Sequence, residues 1–521
     1  MAQRVSALYL TRCSGLVGTY PVTLLVREPD GNLAEVAVDT LPPHELFHAI
    51  GDAGLAHELL VGNETELEEY WERSKTSAWY RAHPGRHLVE RHPRKCIPVR
   101  IWGDDAAATK DKSLYCLSVS SVVTLHLASL FSRMLIFAVT VGRFVNLEPL
   151  WRMLLWSLQC LLDGIMPAVD HLNQPLTGER LAKAGLEVCA GLAFLLTQFT
   201  GDLKFLVDTC LFRAHHGTSP EFCWRCRAVK TPSLLSGYDF SETCAWQHAC
   251  RSHAEWFEES GHMLAVAQLP GFHLSMVLMD LMHSLHLGML PLTLGSIFVE
   301  LLKINFWCGP ASGLWQHRWA IQLRTAYAQF IVWLAEHNIQ LSPPRFTLAR
   351  LSLSSKSDPP LLKGKAAMNM LVARWLLSVL TSLSAASGDA HHELMCCTLW
   401  GFIRGVDIFK SAGRFLNPSE KVRLEAARKA AFVAHARLAH AAIASNSTLW
   451  RTIPKSHYID HLYRCEDCLN PACGWTFADE DWIGRLIRIN HRSSDGNRLM
   501  RLYLVRLHLL LAHHRASVPQ L

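Results

Sequence analysis

The chain has 521 residues, 50% hydrophobic and 18% charged, with a formal net charge of +6. That length suits about three domains, or one catalytic domain with large insertions. The composition excludes a disordered chain and calls for a large buried core, and the small positive excess permits a polyanionic partner without requiring one. The 16 Cys and 28 His follow no regular disulfide framework. Met1–Leu10 lacks the basic segment and long apolar run of a secretory signal. The cysteines are therefore expected as thiols, some of them binding metal.

Residues 1–95 form an N-terminal region of uncertain role. It opens with β-like runs (SALYL, YPVTLLVRE, LAEVAVD) and continues into a helical stretch, HELFHAIGDAGLAHELL. The run EYWERSKTSAWYRAHPGRHLVERHPRK is basic and aromatic. A solvated helix or loop is the preferred reading, and a phosphate-contacting surface is the other. From residue 96 the pattern turns to strands. CIPVRIWGDDAAAT ends in Gly103-Asp104-Asp105, and SLYCLSVSS and RMLIFAVTV follow at hairpin-like separations. The most apolar stretch, Leu114–Val141, carries His126 and Arg133. A membrane span needs about 20 apolar residues with few charges, so two buried strands are expected and no membrane. An integral membrane protein is the least favoured reading. Two helical patterns come next, LEPLWRMLLWSLQCLLDGI and LTGERLAKAGLEVCAG. AFLLTQFTGDLKF is then an apolar strand ending in Gly201-Asp202. Gly-Asp is turn chemistry. Yet a carboxylate at a strand end is where open α/β sheets place chemistry, and here it recurs on both sides of a helical crossover.

Residues 216–260 are rich in Cys and His. Cys223-Trp-Arg-Cys226 has the C-x2-C spacing of half a tetrahedral zinc site. The other half is either local, from Cys244, His248, Cys250 and His253, or distant, from His457 and His461 one helical turn apart. Cys465, Cys468 and Cys473 could form a second, weaker site. Residues 261–450 are mostly helical and open with Asp280-Leu-Met-His283-Ser-Leu-His-Leu-Gly288. Asp280 and His283 share a helix face, and the plain reading is a hydrogen-bonded core pair. Further helical patterns follow, broken by LSLSSKSDPPLLKGK, a candidate mobile or exposed connection. In residues 451–521, Asp479, Glu480 and Asp481 open a late helix, where acids suit the helix dipole. The same helix then carries Arg485, Arg488 and Arg492.

Asp104, Asp202 and Glu480 are spaced in a way that resembles the D-D-E triad of transposases with a ribonuclease-H-like fold. Four ordered blocks over residues 96–492 resemble the CACTA (En/Spm-like) transposases. They are IPVRIWGDDAAAT, GDLKFLVDTCLFRAHHGTSPEFCWRC, MDLMHSLHLGM, and IPKSHYIDH followed by FADEDWIG. The resemblance implies an α+β fold: a ribonuclease-H-like mixed sheet with a large helical insertion and a zinc-binding segment. The core is expected over 96–215 and 451–521, with the insertion over 261–450. It implies metal-dependent DNA strand cleavage and transfer in the nucleus, with a homo-oligomer acting on DNA. Asp104, Asp202 and Glu480 would hold Mg²⁺ or Mn²⁺. Cys223, Cys226, His457 and His461 would share one Zn²⁺ that ties the insertion to the core. Asp280 and His283 would order the insertion near the site, and Arg485, Arg488 and Arg492 would contact phosphates. Asp105 competes with Asp104 for the first role, and Asp479 and Asp481 compete with Glu480 for the third. A catalytically inactive descendant that binds nucleic acid or protein is the alternative.

Overall fold

The computed structural model describes residues 18–28, 30–107, 112–127, 129–141, 143–213, 219–308, 313–465, 469–490 and 500–507. The SALYL run, Cys468 and Arg492 lie outside them. The described chain is mixed α/β with an eight-stranded mixed sheet. It falls into two compact units. One is drawn from Met1–Phe212, Arg251–Leu278 and Thr476–Leu521, and the other from Arg213–Cys250 and Met279–Trp475.

The first unit is built on the sheet. Its strands are β1 (Tyr20–Arg27), β2 (Leu33–Thr40), β3 (Cys96–Ala107), β4 (Ser113–Ser121), β5 (Met134–Val141), β6 (Arg143–Asn146), β7 (Ala193–Gly201) and β8 (Val277–Leu278). Their order is β6-β1-β2-β5-β4-β3-β7-β8. β1 alternates buried and open positions, as a strand with one covered face must. β3 instead is buried continuously from Cys96 to Asp105, which fits its central place. It pairs antiparallel with β4 and parallel with β7. β4 pairs antiparallel with β5, and β7 parallel with β8. The apolar stretch Leu114–Val141 is thus spent on two adjacent buried strands.

The crossover from the meander to β7 runs through the helix Glu148–Asp163. It buries Leu150, Trp151, Leu154, Leu158 and Leu161 at helical spacing and stops at Gly164, whose φ is 70°. The second expected helix shrinks to Gly178–Ala182. Gly185 (φ 82°), Ala190 (φ 48°) and Gly191 (φ 76°) take left-handed backbone that no helix can contain. The basic, aromatic run divides by face. Trp71, Trp79 and Tyr80 are buried while Arg73, Lys75, Arg81 and Arg86 stay in solvent. Trp71 donates its indole N–H to the Cys96 carbonyl at 2.8 Å.

The second unit is helical. Its long helices are Leu290–Lys303, Trp315–Glu336, Ala366–Ser387, Ala390–Ser411, Pro418–Ala444 and Pro454–Arg464. Close helix packing is set by small residues. A Cβ at Gly401 would lie 2.5 Å from the Ala427 carbonyl, and Gly405 faces the Tyr463 ring. Two stretches, Met282–Lys303 and Ala366–Ser387, are long and apolar enough to cross a membrane, and 89% and 44% of their most apolar windows are buried inside the fold. The Ser/Pro/Lys-rich connection is not simply exposed. Leu351, Leu353 and Leu362 are buried, and Leu362 donates its N–H to the Pro291 carbonyl at 3.0 Å. The chain passes between units after residues 212, 250, 278 and 475. Residues 451–475 therefore belong with the helices.

Candidate functional site

The carboxylate cluster lies in the sheet unit. Gly103 on β3 stands opposite Gly201 on β7 in parallel register, so the acid that follows each glycine arrives at the same end of the sheet. One oxygen each from Asp104, Asp105 and Asp202 lies within 4.8 Å of the others. Gly103-Asp104 lies inside β3, whereas Gly201-Asp202 ends β7 and opens the turn that follows. A Cβ at Gly103 would stand 2.1 Å from the Phe205 ring, and one at Gly201 would stand 2.4 Å from it and 2.7 Å from the Gly103 carbonyl. The glycines let Phe205 lie across β3 and the end of β7. Asp202 in turn fixes Phe205, because its Oδ1 accepts the Phe205 N–H at 2.6 Å.

Burial and neighbouring charge raise the proton affinity of this cluster. Asp104 is pushed well above the ordinary carboxylate range, first by burial and then by Asp202, Glu480 and Asp105. Its Oδ1 accepts the Asp105 N–H at 2.7 Å, which works the other way. Asp105 is raised to about 6 by burial, against the pull of Lys204, whose Nζ lies 2.7 Å from Asp105 Oδ2. The buried Cys116 thiol opposite Asp104 is pushed up by burial and by Asp104.

The helix Phe477–Asn490 presents three adjacent acids to three environments. Asp479 is fully buried and paired with two guanidinium groups, Arg100 at 2.6 Å and Arg133 at 3.0 Å. Asp481 faces solvent and pairs with Arg485 at 2.7 Å. Glu480 is half-buried and is the one whose charge reaches both Asp104 and Cys116. Trp482 anchors the helix edge-to-face on Trp102 of β3, with ring centroids 6.0 Å apart. Arg488 is exposed at the far end. The Arg100–Asp479–Arg133 triad was not foreseen. The signal was there: an arginine inside the apolar run CIPVRIW must find a buried partner.

A cavity of about 900 Å³ adjoins the cluster. Asp105 and Lys204 form one rim, Tyr115, Phe144 and Trp151 supply aromatic wall, and Arg152 and His262 add polar groups. All of it belongs to the sheet unit.

The helical unit holds the other candidate centre. Cys223, Cys226, His457 and His461 are all buried and offer ligand atoms within 4.8 Å of one another. Cys226 Sγ lies 3.2 Å from His457 Nε2, and Cys223 Sγ lies 3.7 Å from His461 Nε2. The helix Pro454–Arg464 carries both imidazoles on one face. Trp246 packs edge-on against them, at 4.3 and 4.8 Å between ring centroids. Asp460 points away from them to Arg428 (2.9 Å) and Arg464 (2.9 Å). Burial works against a thiolate at Cys223, but Cys226 and the two imidazoles outweigh it and hold that thiol well below its ordinary value. All four residues sit in one unit, so they join residues 213–250 to the 454–464 helix within it.

The local ligand set is not assembled. Cys244 lies 3.4 Å from the Arg464 guanidinium, and His248 and Cys250 are exposed. His253 belongs to the sheet unit, where it accepts the Leu274 N–H and stacks on His273. Cys465 and Cys473 turn to backbone carbonyls, of Leu469 and Arg414. Asp280 caps the Met282–Met289 turn, accepting the N–H groups of Met282 and His283. Its Oδ2 also meets His283 Nδ1 at 2.5 Å. The pair is thus satisfied locally, as its spacing suggested.

Together these features define a mixed α/β chain with a three-aspartate group on the sheet and a Cys2His2 group among the helices, each able to hold metal. No protein-family model matches the sequence, and no curated protein matches it.

Proposed function

We propose that the chain is a DDE-type enzyme of DNA strand cleavage and transfer, related to the CACTA transposases. The observation that carries this reading is the meeting of Asp104, within β3, and Asp202, just after the parallel neighbour β7, within the field of Glu480. The sheet order supports it. Across β5-β4-β3-β7-β8, three antiparallel strands adjoin two parallel ones. Counted in chain order, the first acid sits on the first strand of that set (β3), the second just after the fourth (β7), and the third on a late helix. That is the placement the ribonuclease-H-like resemblance implies.

The donors fit hard divalent cations, since all are carboxylate oxygens and their mutual repulsion already raises Asp104. The chemistry that Mg²⁺ or Mn²⁺ would supply there is activation of a water or 3′-hydroxyl and neutralisation of the leaving oxygen of an in-line displacement. The residues do the rest. Asp104 and Asp202 would hold the cation, with Glu480 as a third ligand from the helix, and Phe205 keeps both backbones in place. Arg488 at the outer end of that helix is available to phosphate. Asp479 is kept from ligation by its two arginines and sets the helix position.

The Cys2His2 group suits structural Zn²⁺. Tetrahedral zinc with its usual sulfur and nitrogen bond lengths separates S from N by about 3.6 Å, against 3.2 and 3.7 Å here.

The test is plasmid nicking with Mg²⁺ or Mn²⁺, comparing wild type with Asp202→Ala. Metal-dependent nicking that the substitution abolishes is expected. A folded, zinc-loaded chain that never nicks would overturn the catalytic reading and favour a nucleic-acid- or protein-binding descendant.

A further inference from the structure

Lys204 follows Asp202 by two residues and has no part in the chemistry described so far. Its ammonium lies 2.7 Å from Asp105 Oδ2. The two partners differ sharply in exposure: the Asp105 side chain is 2% exposed and that of Lys204 is 53%. The ammonium therefore reaches in from solvent and covers one carboxylate of the three. Its aim is built in, because the turn that places Lys204 is the one pinned by the Asp202–Phe205 bond. Both Asp105 and Lys204 line the adjoining cavity, so the lysine stands at the border between the carboxylates and open space. Among the described residues, no ion pair engages Asp104 or Asp202.

We propose that Lys204 is a positioning residue that holds Asp105 out of the coordination of a divalent cation, leaving Asp104, Asp202 and Glu480 as its ligands. The inference rests on the metal-site reading above. A carboxylate oxygen at 2.7 Å from an ammonium already makes a charge-assisted hydrogen bond. A cation that sought the same oxygen would also meet the like charge of the lysine. With the ammonium removed, Asp105 offers a third aspartate oxygen to a cation seated among groups only 4.8 Å apart. Hard cations bind more tightly as carboxylates are added.

The test is a direct titration of the zinc-loaded full chain with Mn²⁺ alone, following free Mn²⁺ by electron paramagnetic resonance. Wild type is compared with Lys204→Met, Asp105→Asn, the double variant and Asp202→Asn, each checked for folding by circular dichroism and thermal melting. Lys204→Met is expected to bind Mn²⁺ about tenfold more tightly, or about 1.4 kcal/mol. Asp105→Asn should stay near wild type, and adding Lys204→Met to it should bring no gain. Unchanged or weakened binding in Lys204→Met overturns the proposal. A gain that persists without Asp105 also overturns it, since the lysine would then act only as a distant charge. If Asp202→Asn abolishes binding but Lys204→Met gains nothing, this inference fails while the metal-site reading stands. If no variant binds Mn²⁺ saturably, both fail.

Discussion

At Gly103 and Gly201 a single methyl group would collide with the Phe205 ring. The Gly-Asp pairs therefore owe their glycines to a close approach and their aspartates to the space that approach leaves. Gly103→Ala should cost about 1–3 kcal/mol, the usual penalty for overpacking, and should widen the carboxylate group. Denaturant unfolding reads the first effect and Mn²⁺ titration the second. Asp479 makes a different prediction from its neighbour Glu480. Its removal takes a fully buried carboxylate away from two buried guanidinium groups, Arg100 and Arg133. Asp479→Ala should destabilise by about 3–5 kcal/mol, seen as an early denaturant midpoint. Glu480→Gln should abolish nicking.

The element that separates structural from chemical acids is the helix Phe477–Asn490. Three consecutive carboxylates on a helix point about 100° apart, so one enters the core, one meets the cluster and one meets water. On the helix Pro454–Arg464, His457 and His461 are four apart and share a face, while Asp460 is engaged by Arg428 and Arg464. Chelation of the metal expected there should free Cys223 and Cys226. A thiol-reactive dye is predicted to label both in chelator-treated protein and neither in the zinc-loaded form. His457→Ala should label without chelator. Equal labelling in all three samples would argue against a shared metal.

Across the whole molecule, the cluster makes stability depend on pH in a definite sense. Asp104 and Asp105 have folded-state proton affinities above their ordinary value of 3.8, with Asp105 raised to about 6. The folded state then binds more protons than the unfolded state in that window, so metal-free stability falls as pH rises from about 4 through about 6. A bound cation relieves the repulsion. The melting temperature should therefore rise with added Mn²⁺ at pH 7.5 and barely at pH 5. An equal rise at both pH values would place the cation elsewhere.

Local pattern was enough to reveal the strands around Asp104 and Asp202, the helices from Trp315 to Ala444 and the spacing of both ligand halves, because periodicity and ligand spacing are short-range properties. It did not reveal that LTGERLAKAGLEVCAG would break after five helical residues, since left-handed Ala190 depends on the packing around it. Nor did it choose among the alternatives it raised. Three acids in a row are equivalent until Arg100 and Arg133, distant in sequence, claim Asp479. Asp104 and Asp105 are equivalent until Lys204 settles on one of them. Cys223 and Cys226 can accept either pair of partners until the 454–464 helix brings two imidazoles to them. Each choice is an electrostatic or packing contact between segments far apart in the chain, and only folding brings those segments together.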